Sequence, residues 1–462
     1  MKKRPNILFL MSDEHRADVT GHAGDPVVRT PNLDRLAETG VVFRNAYTPS
    51  PICVPARQCM MAGQLPKTCQ CEGWWDLAPG YRTFAREFAR YAYNTVCSGK
   101  LHHLTQDQMQ GWTTRIAPDA VMLDRYRRRE GIIAEEFARY SPAPGTGKWS
   151  NQREVEEARV AVGPYQVFDA NAVDASLDYL ERYFVDAVYQ RPQSHRPLLF
   201  KLSLLQPHYP FFTDEKRFDY YFNRVSPYVQ EPCDHPVLSL SQQNKPVNVS
   251  EDAIRRATAA YYGMIDHVDT YFGQILDRLT ALGQDLDDWI IVYTSDHGDM
   301  LGEHGIWEKT RFYEGSVRVP LIIRWPRQFQ PRVVEENVNL CDLFATLCDL
   351  AGLDIPDGLD SRSLAPLLLG ETADWNNETI SQVAKSHVMI KRDALKYQYY
   401  GEEIPEVLFD LEQDPGETVN VAKAPEYAEA MQRFRARLSE LGHGPHADQH
   451  YVNAGYQASA ST

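Results

Sequence analysis

MKKRPNILFLMSDEH, residues 1–15, is the stretch on which the reading of this chain turns. Its basic start and apolar continuation superficially resemble a secretory leader. The apolar run covers only Ile7 to Met11, carries no small-residue cleavage site and stops at charged Asp13. Read as a strand instead, Asn6–Met11 is a continuous apolar segment ending in Ser-Asp-Glu-His, the pattern of a buried central strand. The pattern recurs at Pro197–Leu205, which runs into Gln206-Pro207-His208, and at Trp289–Ser295, which runs into Asp296-His297. Val319–Trp325 is a fourth such segment. Strands alternating with helices define an α/β fold with a large, mostly parallel central sheet. Ligands of such sheets lie beyond the carboxyl ends of the strands, so Asp13, His208 and Asp296 are expected on one rim.

Outward from these strands, Leu33–Glu38 and Tyr81–Tyr93 have helical spacing, and Val41–Tyr47 and Thr95–Ser98 read as strands. Ser250, followed by Glu251 and Asp252, caps a long helix expected to reach about Leu282. Leu340–Ala351 is a helix stopped by Gly352. Residues 104–195, including the Pro- and Gly-rich loop 142–147, read as irregular, substrate-facing insertions. After about Gly370 the pattern changes. Ser386–Tyr400 and Glu406–Leu411 suggest antiparallel strands, and Pro425–Leu441 an amphipathic helix. The expected division is a catalytic α/β domain over 1–370 and a smaller α+β subdomain over 371–462. Its polar tail from Gly442 is either free or a homo-oligomer contact.

The chain has 48 Lys and Arg against 63 Asp and Glu, a net charge of −15, which argues against nucleic acid or anionic membranes as partners. No segment is long enough to span a bilayer. An anionic substrate would need a locally basic pocket. The eight cysteines are dispersed, and Cys69 and Cys71 are too close for a C-x-x-C zinc pair. They read as reduced thiols, which with the absence of a leader suits the cytoplasm.

One cysteine stands in a special setting. In Cys53-Val54-Pro55-Ala56-Arg57, a helix beginning at the cysteine tolerates Pro55 in its first turn. Cys53 and Arg57 then share one face, and both the helix N-terminus and the guanidinium favour an anion beside the sulfur.

SDE at 12–14, CVPAR at 53–57, GKLH at 99–102, PHYPF at 207–211, SDHG at 295–298 and GIWEK at 305–309 occur in this order. With LFDLEQDPGETVNVA at 408–422, the set resembles the sulfatase family of the alkaline-phosphatase-like superfamily, in particular its bacterial choline-sulfatase-like and arylsulfatase members. The resemblance implies that Cys53 is oxidised to formylglycine by a formylglycine-generating or anaerobic sulfatase-maturing enzyme. The hydrated aldehyde then attacks sulfur with one hydroxyl and expels sulfate with the other, a nucleophilic mechanism in two steps. It implies one divalent cation held by Asp13, Glu14, residue 53, Asp296 and His297. Ca²⁺ is the first choice, and the imidazole keeps Mn²⁺ and Mg²⁺ open. Arg57, Lys100 and Lys309 would neutralise the sulfate oxygens, His102 would deprotonate the diol, and His208 would protonate the leaving alcohol. Glu14 and His297 depart from the commoner Asp-Asp and Asp-Asn pairs, and Ala62 replaces a usual Thr. The expected substrate is a small alkyl, aryl or sugar sulfate. The alternatives are a phosphonate monoester or phosphodiester hydrolase on the same scaffold, and a non-catalytic sulfate-ester-binding protein should Cys53 stay unmodified.

Overall fold

The computed structural model describes residues 4–105, 107–117, 151–185, 196–228, 233, 235–236 and 247–445. Its centre is an eight-stranded sheet in the order Arg332–Val334, Val41–Phe43, Leu321–Arg324, Ile290–Ser295, Ile7–Ser12, Leu198–Ser203, Asn94–Gly99, Thr114–Arg115. Ile7–Ser12 lies in the middle and pairs in parallel with both neighbours, Ile7 facing Leu199 on one side and Ile290 on the other. All six of its residues are buried, as a strand covered on both faces requires. Its side chains alternate between two cores. Ile7, Phe9 and Met11 enter one, under the Cys53–Ala62, Phe84–Arg90 and Leu343–Leu350 helices. Leu8 and Leu10 enter the other, under the Pro31–Glu38, Pro164–Val185 and Glu251–Ala281 helices.

The long helix spans Glu251–Ala281, and the Ser250 side chain accepts from the Ala253 amide. A second, four-stranded antiparallel sheet follows, formed in chain order by Glu378–Val383, His387–Arg392, Leu395–Tyr399 and Val407–Asp410. The Ala428–Glu440 helix covers it through Met431, Phe434 and Leu438, with the Phe434 ring stacked on Tyr397 at 5.4 Å. Among the described residues, no helix is long and apolar enough to cross a membrane.

Several expectations change. Leu321–Arg324 runs antiparallel to both its neighbours, which a continuous apolar run does not reveal. The helical segment near Tyr81 is confined to Phe84–Arg90, because Thr83 accepts from the Arg86 amide as N-cap and Ala92 adopts a φ of 66°. Leu340–Ala351 is a 3₁₀ turn, Leu340–Asp342, capped by Asn339, followed by the Leu343–Leu350 helix. Pro164–Val185, expected to be irregular, is a 22-residue helix. It buries polar Gln166, Asp169 and Ser176 alongside Ala172, Val173, Leu180 and Tyr183, so its apolar stripe is broken in the sequence. The loop 142–147 and the tail beyond 445 lie outside the described residues.

Candidate active site

The site forms where the central strands end. Asp13 and Glu14 follow Ile7–Ser12, Asp296 and His297 follow Ile290–Ser295, Lys100 follows Asn94–Gly99, and His208 lies past Leu198–Ser203. The Cys53–Ala62 helix brings a fifth group. Its N-cap, Ile52, makes no side-chain capping bond, so its first-turn amides favour an anion at Cys53. All ten residues of this helix are buried.

Donor atoms of Asp13, Cys53, Asp296 and His297 all lie within 4.8 Å of one another, and those of Asp13, Glu14 and His208 form a second such group. Cys53 Sγ is 3.1 Å from His297 Nε2 and 3.9 Å from Asp13 Oδ1. His297 Nδ1 donates to the Gly298 carbonyl at 3.0 Å, which leaves Nε2 with its lone pair turned to residue 53. That tautomer suits a ligand. Two aspartates, an imidazole nitrogen and the Cys53 sulfur make a mixed oxygen–nitrogen–sulfur set able to hold a divalent cation.

Cations line the same floor. Arg57 reaches Asp296 through Nε at 2.7 Å and Asp13 through Nη2 at 2.8 Å, and Lys100 meets Asp13 at 2.5 Å. Burial would raise the Asp13 carboxyl, but Lys100 and Arg57 hold it well below the usual carboxylate range. Lys309 Nζ lies 2.7 Å from Glu14 Oε2 and 2.7 Å from His208 Nε2. Burial raises Glu14 to about 8 against the pull of Lys309. Burial raises Asp299 as well, and the charge of that carboxyl adds to the rise at Glu14. Glu14 belongs to the SDE motif read from the sequence, whereas Asp299 falls one residue past SDHG and was not singled out.

Burial, helped by Lys309, holds His208 well below its ordinary value. Its Nδ1 donates to the Tyr209 carbonyl at 2.6 Å, so Nε2 accepts the proton offered by Lys309. Burial and then Lys100 lower His102 similarly. His102 sits on a left-handed backbone, φ 62°, with its ring edge-on to Trp74 at 5.4 Å. Trp74 is half-exposed, at 54%, and overhangs the histidine. Sequence reading also missed Asp169. From the Pro164–Val185 helix it accepts the Leu205 and Gln206 amides at 2.7 and 3.0 Å, fixing the strand end that carries His208. Nothing in its own neighbourhood marks it; only the fold does.

A large mixed sheet with a polar rim on this scale, joined to a small antiparallel sheet, is the alkaline-phosphatase-like fold. More narrowly, the chain belongs to the sulfatase family: residues 5–353 match Sulfatase, and residues 302–443 match N-sulphoglucosamine sulphohydrolase, C-terminal. It is 30% identical to an arylsulfatase of Clostridium perfringens, covering 94% of each chain. It is 34% identical to a choline-sulfatase of Rhizobium meliloti, over 91% of this chain and 83% of that one. Among solved structures, a phosphonate monoester hydrolase of Agrobacterium radiobacter superposes with a TM-score of 0.77 at 24% identity, covering 95% of both chains. A protein solved with its substrate D-glucosamine-2-N,6-O-disulfate gives 0.73 at 20%, covering 95% of this chain and 97% of that one. The chain is thus a sulfuric ester hydrolase by family.

Proposed function

We propose that the chain cleaves a small organic sulfate monoester to an alcohol and inorganic sulfate, with residue 53 as nucleophile. The observation that carries this reading is the meeting of Asp13, Cys53, Asp296 and His297 donor atoms within 4.8 Å above Arg57 and Lys100. As a thiol, Cys53 is poorly suited: burial, helped by Asp13, pushes it up to about 12, so the thiolate is scarce at neutral pH. Conversion to formylglycine by a maturing enzyme replaces that thiol with a hydrated aldehyde whose two hydroxyls attack sulfur and later expel sulfate. Cys53 Sγ stands where those oxygens would lie.

Asp13, Glu14, Asp296 and His297, with residue 53, would hold one divalent cation, Ca²⁺ before Mn²⁺ or Mg²⁺. When bound, it supplies positive charge to a sulfate oxygen and to the nucleophile. Arg57 is held by Asp13 and Asp296, and so positions both carboxylates while facing the sulfur site. Lys100 and Lys309 flank the sulfate oxygens. His102 takes the proton from the second hydroxyl. His208 protonates the leaving oxygen with a proton that its Nε2 first takes from Lys309, which donates to it at 2.7 Å and is left neutral.

The test is mass spectrometry of the native protein together with a substrate panel. The residue-53 peptide is expected to carry an aldehyde, and Cys53→Ala to abolish sulfate release. Rates on aryl sulfate, choline sulfate, sulfated monosaccharides and an aryl phosphonate define the substrate. Full turnover by protein with a thiol at 53 sinks the mechanism, and faster phosphonate than sulfate cleavage transfers the chain to the phosphonate reading.

A further inference from the structure

Beyond the rim, the densest grouping of reactive side chains is sulfur. Cys59, on the helix that carries Cys53, packs with Cys69, Cys71 and Cys341, and Ala62 and Leu77 complete the cluster. Cys59 and Cys69 sulfurs are 3.4 Å apart, and Cys71, two residues further on, lies in the same buried cluster. Cys341 Sγ turns away to the Gln64 carbonyl at 3.2 Å. Among the described residues, no three of these sulfurs lie within 4.8 Å of one another, which disfavours a thiolate metal site and leaves a pair with a neighbour.

We propose that Cys59 and Cys69 are a reversible disulfide site, closed by a hydroperoxide and exchangeable through Cys71. Closing the bond brings the sulfurs from 3.4 Å to about 2.05 Å. In the first step Cys69 sulfur attacks a peroxide oxygen, the O–O bond breaks, and an alcohol or water leaves with a sulfenic acid remaining. Cys59 sulfur then attacks that sulfur, the S–O bond breaks, and water departs with the Cys59 proton. The two thiols lose two electrons and the peroxide gains them. Although burial pushes the Cys69 thiol up, hydrogen bonds from Cys59 and Cys71 hold it below its ordinary value, which makes it the attacking sulfur. The segment over the pair, 70–80, contains no helix or strand.

The pair is wired to the catalytic loop. Gln58, beside Cys59, donates to Asp76 at 3.3 Å, and Asp76 accepts the Leu104 and Thr105 amides at 2.8 and 2.6 Å. Trp74, three residues after Cys71, lies against His102. Bridging Cys69 to Cys59 draws the start of the 70–80 segment towards the Cys53–Ala62 helix and so displaces the segment that covers and pins the His102 loop.

The experiment treats full-length protein with hydrogen peroxide, then maps unreduced peptides and counts thiols after denaturation. The expected result is a Cys59–Cys69 linked peptide, two fewer titratable thiols, and reversal by a dithiol reductant. Turnover on aryl sulfate falls with the bridged fraction and returns on reduction. Cys59→Ser removes the link, while the wild-type map needs no variant to fold. A stable Cys69–Cys71 link, or sulfinic acid at Cys69 with no bridge, overturns the pairing. Constant turnover as the bridge forms overturns the connection to the site.

Discussion

At the rim of the large sheet, Asp13 meets Lys100 at 2.5 Å and Arg57 at 2.8 Å, all three buried. Between the two sheets, buried Lys396 meets buried Glu417 at 2.6 Å and the partly exposed Glu314 at 2.9 Å. Burial of charge therefore does not itself mark catalysis. The clusters differ in how their members are satisfied. Around Lys396, Glu314 also takes the Tyr47 hydroxyl and Arg318. Burial would raise Glu314, yet Lys396 and Arg318 bring it down to about 2. That cluster closes on itself and fastens the small sheet to the large one. At the rim, one oxygen of Glu14 is buried with no hydrogen-bond partner among the described residues, and the imidazole lone pair of His297 faces residue 53. Such groups are arranged for something that binds.

The contrast is tested most severely at His208. General acid catalysis contributes about 10²–10⁴-fold, and its share grows as the leaving group worsens. His208→Ala should lose that much rate on an alkyl sulfate and far less on an activated aryl sulfate, with thermal stability little changed. Single-turnover release of both alcohols measures it. Equal losses on both substrates would mean that His208 only holds its loop, and the rim would then resemble the other cluster more than proposed. His102→Ala should instead let sulfated enzyme accumulate with either substrate.

Lys396→Met is the converse. It leaves buried Glu417 and the partly exposed Glu314 without their shared cation, and breaking a buried ion pair in this way costs about 3–5 kcal/mol. Denaturant unfolding should show the loss, while turnover per folded molecule stays at the parental value. A variant with normal stability and a lowered turnover would erase the distinction between the clusters.

Legibility in the sequence divides along the same line. The four buried strands were readable because a strand covered on both faces is mostly apolar, as the Ile7–Met11 and Ile290–Tyr293 parts of these strands are. The rim followed, since topology alone places Asp13, His208 and Asp296 at strand ends. What stayed hidden was whatever depends on a distant partner. Asp169 looks like any helix-surface acid until Leu205 and Gln206 are seen donating to it. The antiparallel direction of Leu321–Arg324 and the strand Glu378–Val383 are set by pairing rather than by local pattern. Cys59 and Cys69 were counted as dispersed thiols because ten residues of chain separate two sulfurs that the fold brings to 3.4 Å.

The smallest effect concerns the cation, and it carries a sign. Burial raises Glu14 to about 8, so between its ordinary value near 4.5 and about 8 the folded, metal-free chain binds more protons than the unfolded one. Stability of that form should therefore fall as pH rises through this window. A divalent cation at Asp13, Glu14, Asp296 and His297 would displace the proton, so its stabilisation should grow over the same interval. At a concentration 100 times its dissociation constant, it adds about 2.7 kcal/mol. Thermal unfolding of chelated protein, with and without Ca²⁺ or Mn²⁺ at pH 6 and pH 9, measures the difference. The shift in melting temperature should be larger at pH 9 and should vanish in Asp296→Asn. Among the described residues, Glu314 and Glu417 belong to no group of three metal-ligating side chains, so Lys396→Met should retain the full cation-dependent shift. A shift that is independent of pH would mean that Glu14 keeps its proton and stands outside the ligand set. The ion would then rest on Asp13, Asp296, His297 and residue 53 alone.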